Sequence, residues 1–266
     1  MRHSGEKLLI KLGGTLLDSA DSRESLAAQI SHVAQGAQVV VVHGGGKQMT
    51  RFLTERGVES RFVNGLRVTT PETMDAVLKV FAGSVNHELV ASLIAAGARA
   101  VGLTGIDAGL AEAEQMSPEL GSVGRVVRSH PELLNLLVAN GYLPVVACVA
   151  GDRQGQMYNV NADQMAVACA AAFGAAQLIF LTDVPGVMDA GKEVRPLLTM
   201  SESESLIAAG VATGGMQAKL NAAAAALRGG VGQVRIAPGN AAGVLQRILD
   251  GEAIGTRLVA GEVVTQ

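Results

Sequence analysis

Residues 39–47 read VVVVHGGGK, four valines followed by a histidine, three glycines and a lysine. Four consecutive β-branched residues predict a strand that is buried on both faces, as strands of parallel sheets are. The glycines allow a close turn after the strand, and the pattern from Lys47 onward predicts a helix. A strand, a glycine-rich turn and a helix in this order are typical of one unit of an open α/β sheet.

Similar units lie on both sides of this stretch. We predict a helix beginning near Asp21, where Asp21 and Glu24 have capping-box spacing, and another helix after Asp163. Further strands are predicted at residues 8–10, 100–103, 143–149, 177–181 and 234–237, and further helices at 71–96, 131–140, 217–228 and 244–250. This alternation predicts an α/β fold, an αβα sandwich with a mainly parallel central sheet.

The domain organisation follows from the same pattern. Residues 111–114 and 122–127 are predicted to form a hairpin that projects from the sheet. Since no repeat, linker or charge block divides the chain, we expect two lobes on one continuous sheet, an N-lobe at residues 1–172 and a C-lobe at 173–266.

Composition excludes several classes of protein. Of 266 residues, 48% are hydrophobic and 17% charged, which excludes a disordered chain, and a net charge of −3 offers no basic field for nucleic acid or membranes. Cys148 and Cys169 lack metal-ligand spacing, as do the histidines, so we expect buried thiols and no protein metal site. The sequence has no signal-peptide pattern at its N-terminus. Its apolar residues 165–181 are interrupted and slightly too short for a membrane-spanning helix, so we expect a cytoplasmic protein.

Three glycine-bearing turns indicate where an anion would bind. They are KLGG at residues 11–14, HGGG at 43–46 and TDVPG at 182–186, each after a predicted strand. The Walker pattern fails because Gln48 follows Gly46-Lys47, GxGxxG is missing after the first strand, and no GxSxG elbow occurs. A phosphate or carboxylate site of another type remains.

A longer ordered set of motifs carries a specific resemblance. KLGG (11–14), HGGG (43–46), NGLRVT (64–69), NGYLPV (140–145), NVNAD (159–163), TDVPGV (182–187) and GMQAK (215–219) together resemble the acetylglutamate kinases of the amino acid kinase family. The match runs from residue 8 to 258, and NGLRVT with NVNAD is its most discriminating part. The resemblance implies phosphorylation by ATP of the side-chain carboxylate of N-acetyl-L-glutamate, in the biosynthesis of arginine. Its N-lobe would bind the acyl amino acid and dimerise, and its C-lobe would bind ATP.

The resemblance also implies roles for individual residues. Lys11 and Lys219 would approach the transferring phosphoryl group from opposite sides, and Asp163 would position both lysines. Arg67 would clamp the substrate's α-carboxylate, and Asn159, helped by Asn161, would hold its acetamido end. Backbone N–H groups of Gly13, Gly14, Gly45 and Gly46 would cradle phosphate and substrate oxygens. The nucleotide pocket would be lined by Asp183, Val184, Pro185, Gly186, Val187, Met188, Val211, Ala212 and Thr213.

Plainer interpretations of these residues stay open from the sequence. Asp163 has the position of a helix N-cap, Arg67 that of a salt-bridge residue, and Lys219 that of a surface lysine on a helix. Asn159 and Asn161 also suit a turn. The chemistry favours the kinase interpretation, because a carboxylate nucleophile with a pKa of about 4.3 is ionised at neutral pH and needs no general base. Magnesium would accompany ATP, held mainly by its phosphates.

Partners and rival functions follow from the resemblance as well. The chain begins close to its first strand, whereas arginine-inhibited relatives carry an extra N-terminal helix. We therefore expect a homodimer with weak or no feedback inhibition by arginine. The contact between the two copies is expected around residues 74–93. The alternatives are a family kinase acting on carrier-bound aminoadipate and a non-catalytic acetylglutamate sensor. A sensor is expected to lose Lys11, Asp163 or Lys219, and all three are present.

Overall fold

A computed structural model of the protein describes residues 5–261, so the outer limits of both predicted lobes, residues 1 and 266, lie outside the described residues. The strands are β1 (Lys7–Leu12), β2 (Gln38–His43), β3 (Phe62–Val63), β4 (Leu66–Arg67), β5 (Ala100–Thr104), β6 (Ala111–Gln115), β7 (Val123–Ser129), β8 (Leu143–Ala147), β9 (Val149–Gly151), β10 (Met157–Val160), β11 (Gln177–Thr182), β12 (Leu197–Thr199), β13 (Gln233–Pro238) and β14 (Thr256–Val259). The helices are α1 (Ala20–Ala34), α2 (Gly46–Thr54), α3 (Pro71–Ala95), α4 (Glu132–Ala139), α5 (Ala162–Phe173), α6 (Met200–Ala208), α7 (Gly214–Arg228) and α8 (Val244–Leu249).

One eight-stranded sheet runs through the protein in the order β12-β14-β13-β11-β1-β2-β8-β5. All neighbours are parallel except β13 and β14. α1 packs against α3 and α8, whereas α5 packs against α7 and β1. The predicted αβα sandwich is therefore confirmed, and its sheet is continuous because β1 pairs with β2 on one side and with β11 on the other.

The valine run that suggested this fold lies in the core, as do its neighbours in the sheet. Val39 is 2% exposed and Val40, Val41 and Val42 are fully buried, as a strand covered by helices on both faces must be. The proposed lobe boundary, between residues 172 and 173, falls at the last residue of α5 and stays a prediction.

A second, smaller sheet lies beside the first. β6 and β7 form the predicted antiparallel hairpin, but the hairpin does not project alone, because β9 and β10 join it in a closed four-stranded arrangement. β9 and β10 were missed because they are only three and four residues long. β10 matters for function, since it contains Asn159.

Two helix starts differ from the sequence prediction. The N-cap of α1 is Ser19, whose side chain accepts a hydrogen bond from the Ser22 N–H, so the prediction of Asp21 as the capping residue was wrong. α6 was not predicted, although its capping box of Thr199 and Glu202 follows a recognisable sequence pattern.

α3 is the long helix predicted at residues 71–96, with one irregularity. Its middle, Leu78–Val85, is π-helical, which widens the helix for two turns. α3 is also the one helix among the described residues that is long and apolar enough to cross a membrane. Length and composition are weak criteria here, because α3 packs against α1 and β5 as a core helix of an α/β protein does.

Candidate active site

Three charged side chains from distant parts of the chain meet at the carboxyl end of β1. Lys11 Nζ lies 2.6 Å from one oxygen of Asp163, and Lys219 Nζ lies 3.1 Å from the other. Lys11 is held by the central strand, Asp163 by the first turn of α5, and Lys219 by α7. The structure therefore brings together the three residues predicted to act on the phosphoryl group, with one carboxylate between two ammonium groups.

Two neighbouring ammonium groups keep the Asp163 carboxylate ionised. Burial alone would raise the pKa of Asp163, but the ammonium groups of Lys11 and Lys219 outweigh burial and hold the pKa below its usual value. Asp163 is 7% exposed and Lys11 is 6% exposed, so water screens their interaction only weakly. Asp163 is not the N-cap of α5, since that position is occupied by Asn161.

Two glycine-rich turns face each other above the cluster. A Cβ atom on Gly14 would lie 3.0 Å from the Gly46 nitrogen and 3.2 Å from the Gly45 nitrogen, so a side chain there would crowd the close approach of the two turns. The N–H groups in the first turn of α2, from Gly46 onward, have no acceptor within the helix and carry its positive dipole end. Such a turn suits an anion.

One predicted member of the phosphate cradle is already engaged. The N–H of Gly13 donates to the carbonyl oxygen of Leu181 at 3.0 Å, which links the turn to β11. This N–H is therefore committed to strand pairing, and its predicted contact with phosphate stays a prediction. Gly14, Gly45 and Gly46 remain as the predicted donors.

A buried histidine supports the second glycine turn. His43 donates from Nδ1 to the Gly44 carbonyl oxygen, because its Nε2 must accept from the Nδ2 of Asn86. The Asn86 orientation is fixed, since its Nδ2 also donates to the Val145 carbonyl oxygen, which can only accept. Burial lowers the pKa of His43 to about 4 despite the Gly44 contact, so the ring is neutral at pH 7 and orients the turn.

All five predicted substrate-binding residues line one cavity of about 170 Å³. These are Gly45, Gly46, Arg67, Asn159 and Asn161. The cavity opens beside a larger cleft of about 740 Å³, which shares Gly46, Phe62 and Arg67 with it and also reaches Gly14. The phosphate turns and the small cavity are thus continuous.

Arg67 is held by residues that the sequence did not single out. Its guanidinium donates to Thr50 Oγ1 at 2.7 Å, to the Gly46 carbonyl oxygen at 3.3 Å and to Ser60 Oγ, and it lies over the Phe62 ring at 4.6 Å. Burial lowers the pKa of Arg67, but an arginine stays protonated at neutral pH. No local motif could reveal Thr50 and Ser60, because their role depends on β3 and β4 folding back over α2.

The two asparagines have different local duties. Asn161 Oδ1 caps α5 by accepting from the N–H groups of Asp163 and Gln164, which leaves its amide nitrogen for a ligand. Asn159 Nδ2 lies 3.0 Å from Thr69 Oγ1. The turn-forming interpretation therefore holds for Asn161, and the same residue still lines the cavity.

The predicted nucleotide residues follow β11 or precede α7. Asp183, Pro185, Met188 and Thr213 are exposed there, and Val184 and Val211 are partly exposed. Gly186, Val187 and Ala212 are buried, with the Val187 N–H donating to Thr256 Oγ1 at 2.8 Å. The lining of a nucleotide pocket by these residues stays a prediction, and the three buried ones present little side-chain surface to a ligand.

The described residues contain no group of three or more histidine, cysteine, aspartate or glutamate side chains that could hold a metal ion. Both cysteines are free and buried, and burial raises the pKa of each thiol to about 12, which makes them unreactive. Cys148 contributes to the wall of the small cavity. The groups that the site offers to a ligand are lysine and arginine cations, side-chain amides and backbone N–H groups.

Two lysines sharing one buried carboxylate, below glycine turns on an αβα sandwich, define a phosphotransferase site without a general base. The chain belongs to the amino acid kinase family, whose family model matches residues 6–238.

Similar proteins narrow the comparison. Acetylglutamate kinase of Solibacter usitatus (strain Ellin6076) is 74% identical over 254 residues, which cover 95% of this chain and 99% of that protein. Acetylglutamate kinase of Koribacter versatilis (strain Ellin345) is 44% identical over 258 residues, covering 96% and 99%. N-acetylglutamate synthase from Neisseria gonorrhoeae, solved with coenzyme A and N-acetyl-glutamate, superposes with a TM-score of 0.88 at 24% identity. It covers 99% of this chain and 62% of the synthase chain, a likeness of fold alone.

Proposed function

We propose that this protein transfers the γ-phosphoryl group of ATP to the side-chain carboxylate of N-acetyl-L-glutamate, forming N-acetyl-L-glutamyl 5-phosphate in arginine biosynthesis. The observation that carries the proposal is the pair of lysine ammonium groups on Asp163, next to a cavity lined by Arg67 and Asn159. The identity of 74% over 95% of the chain to an acetylglutamate kinase supports the choice of substrate.

The reaction requires little beyond positioning and charge compensation. A carboxylate oxygen of the substrate forms a bond to the γ-phosphorus, and the bond from that phosphorus to the oxygen bridging the β-phosphate breaks, so ADP leaves. No proton moves, because the attacking carboxylate is already ionised at neutral pH. Negative charge builds up on the transferring oxygens, and catalysis consists of holding the two ends in line and stabilising that charge.

Each predicted residue has a task in this scheme. Lys11 and Lys219, held by Asp163, would stabilise charge on the phosphoryl group, while Gly14, Gly45 and Gly46 would donate N–H groups to its oxygens. Arg67 would hold the α-carboxylate and Asn159 the acetamido group. These assignments rest on the positions of the side chains around one cavity and one cluster.

We also propose that Mg²⁺ accompanies ATP and is bound mainly by phosphate oxygens and water. The donor set supports this, since both Asp163 oxygens lie on lysines and the described residues supply no cluster of metal ligands. When bound, magnesium would neutralise charge on the β- and γ-phosphates.

A homodimer in the cytoplasm is a further part of the proposal. Ile94, which is 55% exposed near the C-terminal end of α3, would be covered by a second copy, and α3 packs against the edge strand β5. Met74 and Leu93 are buried, so they are not available for that contact. Two free thiols are compatible with a reducing compartment. Sedimentation equilibrium of the purified protein measures the oligomeric state.

The function is tested by trapping the acyl phosphate with hydroxylamine in the presence of ATP and magnesium. We expect hydroxamate from N-acetyl-L-glutamate and far less from L-glutamate or N-acetyl-2-aminoadipate. Lys11→Ala should lower kcat by about 10²–10³-fold, by analogy with loss of one transition-state donor. Lys79→Ala is the matched control, because Lys79 pairs with Asp75 on the surface with 60% of its side chain exposed. Absence of hydroxamate from the wild-type protein, or equal activity of the two variants, would contradict the proposal.

A further inference from the structure

Thr69 is a fully buried residue that hydrogen-bonds to both residues proposed to hold the substrate. Its Oγ1 donates to the carbonyl oxygen of Arg67 at 2.9 Å and lies 3.0 Å from Nδ2 of Asn159. Thr69 does not itself line the small cavity, whereas Arg67 and Asn159 do. Any effect of its hydroxyl on a ligand must therefore pass through these two neighbours.

Counting protons fixes the direction of both bonds. The Arg67 carbonyl oxygen can only accept, so it takes the one hydroxyl proton of Thr69. Thr69 Oγ1 is then an acceptor toward Asn159, and Asn159 must approach it with its NH₂ group. The amide oxygen of Asn159 consequently points away from Thr69, and within residues 5–261 it accepts no hydrogen bond.

The backbone holds Thr69 firmly in place. Its N–H donates to the Leu120 carbonyl oxygen at 2.9 Å, and its own carbonyl oxygen accepts from the Ser122 N–H at 2.7 Å. Gly121, between them, has φ of +65°, and a Cβ atom there would lie 2.3 Å from the Thr69 oxygen. Ser122 in turn accepts from the Asn159 N–H at 2.8 Å, so the loop that fixes Thr69 also fixes the strand that contains Asn159.

We propose that Thr69 is a positioning residue that sets substrate specificity by forcing Asn159 to present an acceptor to the cavity. Because a substrate's α-carboxylate and α-nitrogen are attached to the same carbon, a ligand bound by Arg67 brings its nitrogen near Asn159. An oxygen acceptor there selects a substrate with an N–H group, an N-acylated amino acid, and rejects the corresponding ester. The inference rests on the proposed function and adds the residue that enforces the choice.

The test compares N-acetylglutamate with 2-acetoxyglutarate, in which an oxygen replaces the N–H group. For the wild-type protein we expect kcat/KM for the ester to be at least about 100-fold lower, because the Asn159 oxygen would lose its donor. Thr69→Val frees the Asn159 side chain to rotate. It should raise KM for acetylglutamate by about tenfold, and it should lower the ratio of kcat/KM for acetylglutamate to kcat/KM for the ester by about tenfold. Thr69→Ser retains the hydroxyl and should stay within about threefold of wild type, and KM for ATP should change less than about twofold in both variants.

Further measurements separate positioning from simple loss of structure. In an Asn159→Ala background, Thr69→Val should change the ratio of kcat/KM for acetylglutamate to kcat/KM for the ester by less than about twofold, because that discrimination is exerted by Asn159. If Thr69→Val does not fold, Thr69→Ala and Thr69→Ser give the same comparison, since they differ only in the hydroxyl. The inference would be overturned if Thr69→Val or Thr69→Ala discriminated against the ester as strongly as wild type. It would also be overturned if Thr69→Ser raised KM for acetylglutamate as much as the variant without a hydroxyl. A wild-type protein inactive on acetylglutamate would instead overturn the proposed function.

Discussion

Replacing Asp163 with asparagine removes one negative charge from the point where Lys11 and Lys219 meet and barely alters the shape of the side chain. The Asp163 side chain is 9% exposed, and its oxygens lie 2.6 Å and 3.1 Å from the two ammonium groups. Removing one partner of a buried ion pair costs about 3–5 kcal/mol, because a charge remains without compensation. We expect a loss near the lower limit, about 3 kcal/mol, because the Lys219 side chain is 18% exposed and keeps some water.

The same substitution should reduce catalysis more than binding. Without the carboxylate the two ammonium groups repel each other and lose their fixed positions, so kcat should fall by about 10²–10³-fold. ATP phosphates can replace the missing carboxylate as partners of the lysines, and KM for ATP should therefore change by less than about threefold. Urea unfolding followed by circular dichroism measures the stability, and the hydroxamate assay measures kcat and KM.

Asp75→Asn provides the matched control. Asp75 pairs with Lys79 on the surface of α3, with 61% and 60% of the two side chains exposed, and such a pair contributes about 0–1 kcal/mol. If Asp163→Asn lost no more stability than Asp75→Asn, or kept kcat within about threefold of wild type, the carboxylate would not organise the site as described.

Two further predictions concern the substrate clamp and pH. Arg67→Lys should raise KM for acetylglutamate by at least about tenfold with little change in KM for ATP, since a lysine cannot form the bidentate fork. Arg61→Lys, at an exposed arginine, is the control and should change neither KM. Equal effects of the two substitutions on KM for acetylglutamate would contradict the role of Arg67 in binding the α-carboxylate. The folded-state pKa of His43, about 4, lies below its ordinary 6.5, so the unfolded chain takes up a proton between pH 6.5 and 4 that the folded protein excludes. The free energy of unfolding should therefore be undiminished above pH 6.5 and fall by about 3 kcal/mol on acidification to pH 4. Urea titrations at several pH values measure how the free energy of unfolding changes with pH. This pH dependence should be weaker for His43→Leu than for wild type or for His87→Leu, a control at an exposed histidine. The same pH dependence in all three proteins would refute the assignment.

Much of the fold could be predicted because its signals are local. The valines of β2 and the glycines after them lie within nine residues, and the strands on either side are long enough to show as apolar runs. The short strands β9, β10 and β12 carry too few residues to show a period. The capping box before α6 was present in the sequence, and reading Thr199 together with Glu202 would have found that helix.

The site was predictable as a set of residues and much less as a set of contacts. Lys11, Asp163 and Lys219 came from motifs, and the structure adds that the aspartate lies between the lysines. The position of Thr69 against Asn159 depends on a contact between residues 90 positions apart, which no local pattern records. The engagement of the Gly13 N–H by β11 is also a consequence of strand pairing, so a glycine motif alone overstated the number of free donors.

The central position of β1 also has a consequence for synthesis on the ribosome. Leu9 pairs with Val40 on one side and with Leu178 on the other, so the second partner is translated much later than the first. At about 5–20 residues per second this delay lasts roughly 7–28 s. During that interval one edge of an apolar strand stays open, and open edges invite association with other nascent chains. Protection by a chaperone is therefore most valuable to this chain between emergence of its second strand and emergence of β11.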